Sequence, residues 1–104
     1  MEANVVDNRA EHRFEIIVDG EPAGFLTYDL MDGAMAFTGV ETDLRRAGAG
    51  LGLTLVRGAL DAASEASLAV RPVSPFVRDY IERHPVYLDL VSEPDRKEYG
   101  LPDA

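Results

Sequence analysis

The sequence predicts an α/β fold, a mixed and mainly antiparallel sheet with a strand–glycine loop–helix–strand crossover and a C-terminal helix. Three observations carry this expectation. Three apolar segments alternate in and out with period two and are separated by two Asp-Gly pairs, the pattern of an antiparallel meander. A segment with three glycines, Glu41 to Gly52, breaks that alternation and leads into residues with helical spacing. A short apolar run and a second amphipathic helix then follow, so the intervening helix is long enough to connect parallel neighbours.

Taken in order, residues 1–12 carry no periodic pattern and are expected to be frayed. RFEIIVD, from Arg13 to Asp19, places Phe14, Ile16 and Val18 on one side of a strand. Asp19-Gly20 is a turn signal, and AGFLTYDL is the second strand. Asp32-Gly33 turns the chain into the third, AMAFTGV. After the glycine segment, Leu53, Val56, Leu60 and Ala63 recur at spacings of three and four as the buried stripe of a helix, with Asp61 and Glu65 off it. SLAVRPV reads as a fourth strand. Ser74-Pro75 opens a second helix, with Phe76, Val77, Tyr80 and Ile81 on one face and Arg78, Asp79, Glu82 and Arg83 on the other. His84-Pro85 ends it, VYLDLV forms a short helical turn, and residues 93–104 are expected to be a loose polar tail. Residues 13–92 thus make one domain, with no repeats.

At 104 residues the chain has room for one core. Its 46% hydrophobic and 28% charged residues are ordinary for a globular protein. The net charge of −9, from 19 acidic and 10 basic residues, argues against a nucleic-acid partner, whose phosphates need a basic surface. The same charge favours a cationic substrate such as an amine. No apolar run is long enough to span a bilayer, and the N-terminus lacks the order of a signal peptide, so no membrane partner and a cytoplasmic location are expected. With no cysteine, disulfides, thiolate metal sites and a cysteine nucleophile are excluded, and no metal site is expected.

The loop Arg45-Arg46-Ala47-Gly48-Ala49-Gly50-Leu51-Gly52 lies between a strand and a helix. A helix start leaves about four N–H groups without intrahelical partners, and the helix dipole adds positive charge there. Glycines let a phosphate approach such a start closely. No Gly-Lys-Ser/Thr follows, so this is not a Walker loop, and its spacing is not that of the dinucleotide fingerprint.

That loop, the helix LGLTLVRGALDAA and the run RPVSPFVRDYIERHPVYLDLV resemble the short, stand-alone GNAT-like N-acetyltransferase domains over roughly residues 13–92. The resemblance implies that acetyl-CoA is the cofactor and that an amine, on a small molecule or a protein, is the acceptor. It implies that backbone amides from Ala47 to Leu53, among them those of Gly48, Ala49, Gly50, Leu51 and Gly52, cradle the pyrophosphate. Val40 to Thr42 at the third strand's end would pair with the pantetheine arm. Two registers of the family's Arg/Gln-x-x-Gly-x-Gly/Ala motif are open. Arg45-x-x-Gly48-x-Gly50 supplies its arginine, with Arg46 beside it, whereas Gly50-Leu51-Gly52 better fits the spacing to the helix stripe. The domain is shorter than ordinary members, which leaves an open cleft or one completed by a second subunit in a homodimer.

Two departures bear on the chemistry. Ser74 stands where members of this subfamily commonly have cysteine, and Thr38-Gly39-Val40-Glu41-Thr42 stands where they have Thr-His-Thr-Glu-Val, so the histidine is replaced and the glutamate kept. A covalent cysteine route is therefore closed. Glu41 is the candidate general base, directly or through a water. Ser74 reads first as a helix cap before Pro75, and it is also the candidate proton donor to the coenzyme A thiolate. His84 reads as a helix-ending residue, and Tyr80 and Tyr87 as packing residues. Acetyl transfer to a primary amine is one reading. A non-catalytic acyl-CoA-binding or protein-interaction module is the other, and a bare structural domain would bind no cofactor.

Overall fold

The computed structural model describes residues 2–43, 45 and 50–103. One sheet holds five strands in sequence order: β1 (Ala3–Asn8), β2 (Arg13–Val18), β3 (Glu21–Met31), β4 (Ala34–Thr42) and β5 (Ala69–Pro72). The first three junctions are antiparallel and β4–β5 is parallel. Helix α1 (Leu51–Glu65) makes the crossover. Helix α2 (Pro75–Arg83), a 3-10 stretch (Pro85–Leu90) and a short α3 (Glu93–Glu98) follow β5. The mixed, mainly antiparallel α/β fold is the one the sequence predicts.

Both Asp-Gly pairs turn the chain as expected. Asp19 and Gly20 have φ of 50° and 83°, and Asp32 and Gly33 have 53° and 75°. Positive φ at both central positions matches the twist of an antiparallel pair. The turns set the register, so Phe14, Ile16 and Val18 of β2, Leu26 and Tyr28 of β3, and Met35 and Phe37 of β4 all join one core. Leu51, Leu55, Val56, Ala59, Leu60 and Ala63 of α1 close that core. The buried stripe is thus shifted from the expected one. Leu53 is 54% exposed, because Leu51 and Leu55 take the core positions of the first turns.

Two segments expected to be loose are ordered. Residues 3–8 form β1, paired to β2 from Ala3↔Val18 to Asn8↔Arg13. Val5 of β1 packs directly on α1 at Gly58, where a Cβ would lie 2.9 Å from the Val5 Cβ. A 3-10 turn at Arg9–Glu11, with the Asn8 side chain accepting from the Glu11 N–H (3.3 Å) and His12 left-handed at φ 53°, brings the chain back into β2.

The C-terminal segment is tied down by two arginines. Arg96 donates to the carbonyls of Leu88 (3.2 Å) and Val91 (2.6 Å). Arg78 donates to those of Tyr99 (2.8 Å) and Gly100 (2.7 Å), and Leu101 is buried. Among the described residues no helix is long and apolar enough to cross a membrane.

Candidate functional site

The parallel pairing of β4 with β5 runs only from Ala34↔Ala69 to Phe37↔Pro72. Pro72 has no N–H to continue the ladder. The last link is made by Ser74, whose N–H donates to the Phe37 carbonyl at 2.8 Å. Beyond it β4 runs on through Thr38 to Thr42, paired only with β3 among the described residues. The two strands therefore part, and the outer edge of β4 presents backbone polar groups with no strand partner.

At the apex of that opening β4 carries a bulge. The register passes from Tyr28↔Phe37 to Thr27↔Gly39 and leaves Thr38 unopposed. The Thr27 and Thr38 hydroxyls share a hydrogen bond of 2.7 Å, and Thr38 Oγ1 also donates to the Thr27 carbonyl at 3.3 Å. Sequence reasoning missed this pair. The break in alternation at Thr38-Gly39 was its only signal.

Helix α1 begins beside the first turn of α2. Gly50 is its N-cap, left-handed at φ 69°, and as glycine it offers no side-chain cap. The first intrahelical bond runs from Thr54 N–H to the Gly50 carbonyl (3.1 Å). The N–H groups of Leu51, Gly52 and Leu53 precede that bond and have no intrahelical acceptor, where the helix dipole is most positive. Gly52 lies under the Phe76 ring, whose Cζ would be 3.0 Å from a Cβ on Gly52. The first turns of α1 and α2 thus meet, and the exposed Leu53, Val73 and Phe76 give an apolar surface around them.

The remaining predicted residues divide. Val40 and Thr42 are half-buried on the parted segment of β4. Arg45 is exposed and paired with Asp43, through Nη2 to Oδ2 at 2.9 Å and Nε to Oδ1 at 3.1 Å. Arg46, Ala47, Gly48 and Ala49 lie outside the described residues, and with them the choice between the two loop registers. Glu41 is exposed and stands opposite Phe25 across β3–β4. It borders a hollow of about 310 Å³ together with Arg13, Glu15 and Asp43. The Arg13 guanidinium lies 4.7 Å over the Phe25 ring and donates to Glu15 at 2.9 Å.

Ser74 is 3% exposed and is the one polar residue buried among the described residues. It occupies the N-cap position of α2, but its side chain makes no cap hydrogen bond. The capping role expected of its hydroxyl is therefore corrected: its backbone does the work, the N–H bonding Phe37 and the carbonyl accepting from Arg78 N–H at 3.0 Å.

Glu41 and Ser74 are not brought together. Ser74 is fastened at Phe37, and four residues of strand, roughly 13 Å at the usual rise, separate Phe37 from Glu41. Val40 points to the core side with Leu26, so Glu41 faces the other side of the sheet.

His84 closes α2 as expected, its ring nitrogen 2.8 Å from the Tyr80 carbonyl and its ring stacked 4.1 Å from that of Tyr80. Burial raises the Tyr80 and Tyr87 hydroxyl pKa values, and for Tyr87 the hydrogen bond to Asp61 (2.9 Å) adds to it.

A family model described as a GCN5-related N-acetyl-transferase matches residues 13–90. The fold is similar to that of a ribosomal-protein-alanine N-acetyltransferase from Brucella melitensis biovar Abortus 2308, with a TM-score of 0.51 and 20% identity. The overlap covers 77% of this chain and 57% of that one. The present chain thus spans little more than half the length of that protein, and at this identity the likeness is one of fold. No curated protein matches the chain.

Proposed function

Because the chain belongs to the GCN5-related N-acetyltransferase family, we propose that it moves an acetyl group from acetyl-CoA to a primary amine. The observation that carries this reading is the parted edge of β4 together with the glycine-capped start of α1. An extended, amide-bearing arm suits an unpaired strand edge, and a pyrophosphate suits free helix N–H groups. The residues present fit the cofactor. Backbone groups of Val40 to Thr42 would hold the arm, and the N–H groups of Leu51, Gly52 and Leu53 the phosphates. Acetyl-CoA supplies the activated acetyl thioester.

The proton work then falls to the chain's own residues. Ser74, a buried residue, stands at the apex, and its hydroxyl makes no cap bond. In this reading it donates a proton to the departing thiolate. Glu41, on the far face and four residues along β4, lies beyond the reach of a single bridging water, so in this reading it does not serve as the base for an amine at Ser74. The acidic net charge and the Glu15, Glu41 and Asp43 carboxylates around the hollow favour a cationic acceptor.

The separation of Glu41 from Ser74 favours a second reading, a module that binds acyl-CoA without turning it over. Release of free thiol from acetyl-CoA in the presence of a panel of amines distinguishes the two. The first reading expects thiol release that Ser74→Ala abolishes while acetyl-CoA binding is kept. Cofactor binding without thiol release from any amine supports the second.

A further inference from the structure

The Thr27 and Thr38 hydroxyls stand on the sheet face turned away from the core. Thr27 lies between Leu26 and Tyr28, which both enter the core, so its side chain takes the opposite face. Thr38 is on that face too, since the two hydroxyl oxygens are 2.7 Å apart. The pair adjoins the apex of the β4–β5 opening, because Thr38 follows Phe37, whose carbonyl accepts from the Ser74 N–H. Gly39 stands opposite Thr27 and leaves a notch beside the pair. A Cβ on Gly39 would meet nothing nearer than Thr27 Oγ1, at 3.4 Å.

Both protons of the pair have acceptors within the protein. Thr38 Oγ1 is 3.3 Å from the Thr27 carbonyl, and Thr27 Oγ1 is 3.4 Å from that of Gly39. Whichever hydroxyl donates across the 2.7 Å contact, the other turns its proton to a carbonyl. Only lone pairs are then left facing outward, so the pair accepts hydrogen bonds and has none to give.

The surrounding charges select the donor. On the same face Asp29 is two residues from Thr27 and Glu41 two from Gly39, each roughly 7 Å away at the usual rise. Both are exposed, and neither carboxylate has a hydrogen bond or ion pair among the described residues. The arginines of this face are already paired. Arg13, opposite Thr27, leans over Phe25 and holds Glu15, and Arg71 holds Asp95. An ammonium group answers both features, with N–H donors for the lone pairs and positive charge for the two carboxylates.

We propose that the Thr27 and Thr38 hydroxyls and the notch at Gly39 seat the primary ammonium group of the acceptor. Calling that amine the acceptor rests on the acetyl-transfer reading, whereas the seat itself does not. Tetramethylenediamine is the probe, because its second ammonium meets Asp29 or Glu41.

Amide NMR of the labelled full chain, titrated with this diamine with and without coenzyme A, reads the seat in the absence of turnover. Shifts are expected at Thr27, Thr38 and Gly39. Thr27→Val keeps the shape and removes the hydroxyl. It should weaken the diamine by about tenfold, the loss of a hydrogen bond to a charged group, and leave acetyl-CoA affinity unchanged. Thr27→Ser should restore the diamine's affinity, and Gly39→Val, which fills the notch, should weaken it as Thr27→Val does. In turnover Thr27→Val should raise the KM for the amine by the same factor with kcat nearly unchanged. Shifts away from Thr27 and Gly39, or an equal affinity in Thr27→Val, overturn the proposal. Thr27-dependent binding in a chain that releases no thiol upholds the seat and removes acetyl transfer instead.

Discussion

Serine in this chain shows how one residue type takes different work from its surroundings. Ser74 and Ser92 both precede a helix with proline in its first turn. Only Ser92 caps, accepting from the Asp95 N–H at 3.4 Å, whereas the side chain of the buried Ser74 makes no cap bond. Ser92→Ala should therefore cost about 1 kcal/mol, the usual worth of a serine cap, and Ser74→Ala markedly less. Denaturant melts of the two variants check this, and an equal loss in both would show that Ser74 caps after all. The sequence favoured a cap over a donor at Ser74 and missed, because the role depends on where the hydroxyl turns once the backbone is fixed to Phe37.

Tyr28 makes a second prediction at the same scale. Burial first, and its bond to Asp7 second, push its hydroxyl pKa from 10.0 up to about 12. The folded state thus holds the proton more tightly than the unfolded chain. Its stabilisation is complete below pH 10 and is lost as pH rises from there through about 12. Base titration of the fold should show that loss, and Tyr28→Phe should flatten it. An identical profile in Tyr28→Phe would assign the loss to another group.

At the scale of elements, strands β2 to β4 were legible because alternation and two Asp-Gly turns agree on one register. Strand β1 was not. It sends only Ala3 and Val5 toward the core, too few to show a period, and its place is decided by long-range pairing with β2. Helix α3 was hidden by its polarity, although its signals were present: a serine cap, Glu93 and Asp95 in the first turn, and Arg96 and Lys97 in the last.

The contact between β1 and α1 can be tested at Gly58. A methyl group there would lie 2.9–3.0 Å from three Val5 side-chain carbons. Overpacking of this kind costs about 1–3 kcal/mol, more than the ~1 kcal/mol that alanine gains over glycine in a helix. Gly58→Ala should lower stability and loosen β1 in amide exchange, and Val5→Ala in the same chain should restore much of it. A Gly58→Ala variant more stable than the parent would mean that β1 does not dock there.

At the scale of the whole molecule, two regions lie at opposite ends of α1. One is the parting of β4 from β5 near the helix start, and the other is a cleft of about 590 Å³ at its last turn, with Arg9, Leu30 and Glu65 in its lining. The first was partly legible: the glycine loop, Val40 to Thr42 and Ser74 were each named from the sequence. What was not legible is their spacing. The distance between Glu41 and Ser74 is set by the β4–β5 register, which stops at Pro72, and by the bulge at Thr38. Neither is a local property. The cleft was not legible at all, since Arg9, Leu30 and Glu65 meet only after β1 joins the sheet.

The central claim is that the parted edge of β4 and the start of α1 together hold acetyl-CoA. Titration of the isotope-labelled protein with acetyl-CoA, followed residue by residue in amide NMR spectra, tests it most directly. Saturable shifts should gather at Thr38 to Thr42 and at Leu51 to Leu53, with Ala62 to Leu68 unmoved. No shifts at millimolar acetyl-CoA, or shifts confined to the cleft at the far end of α1, would contradict it.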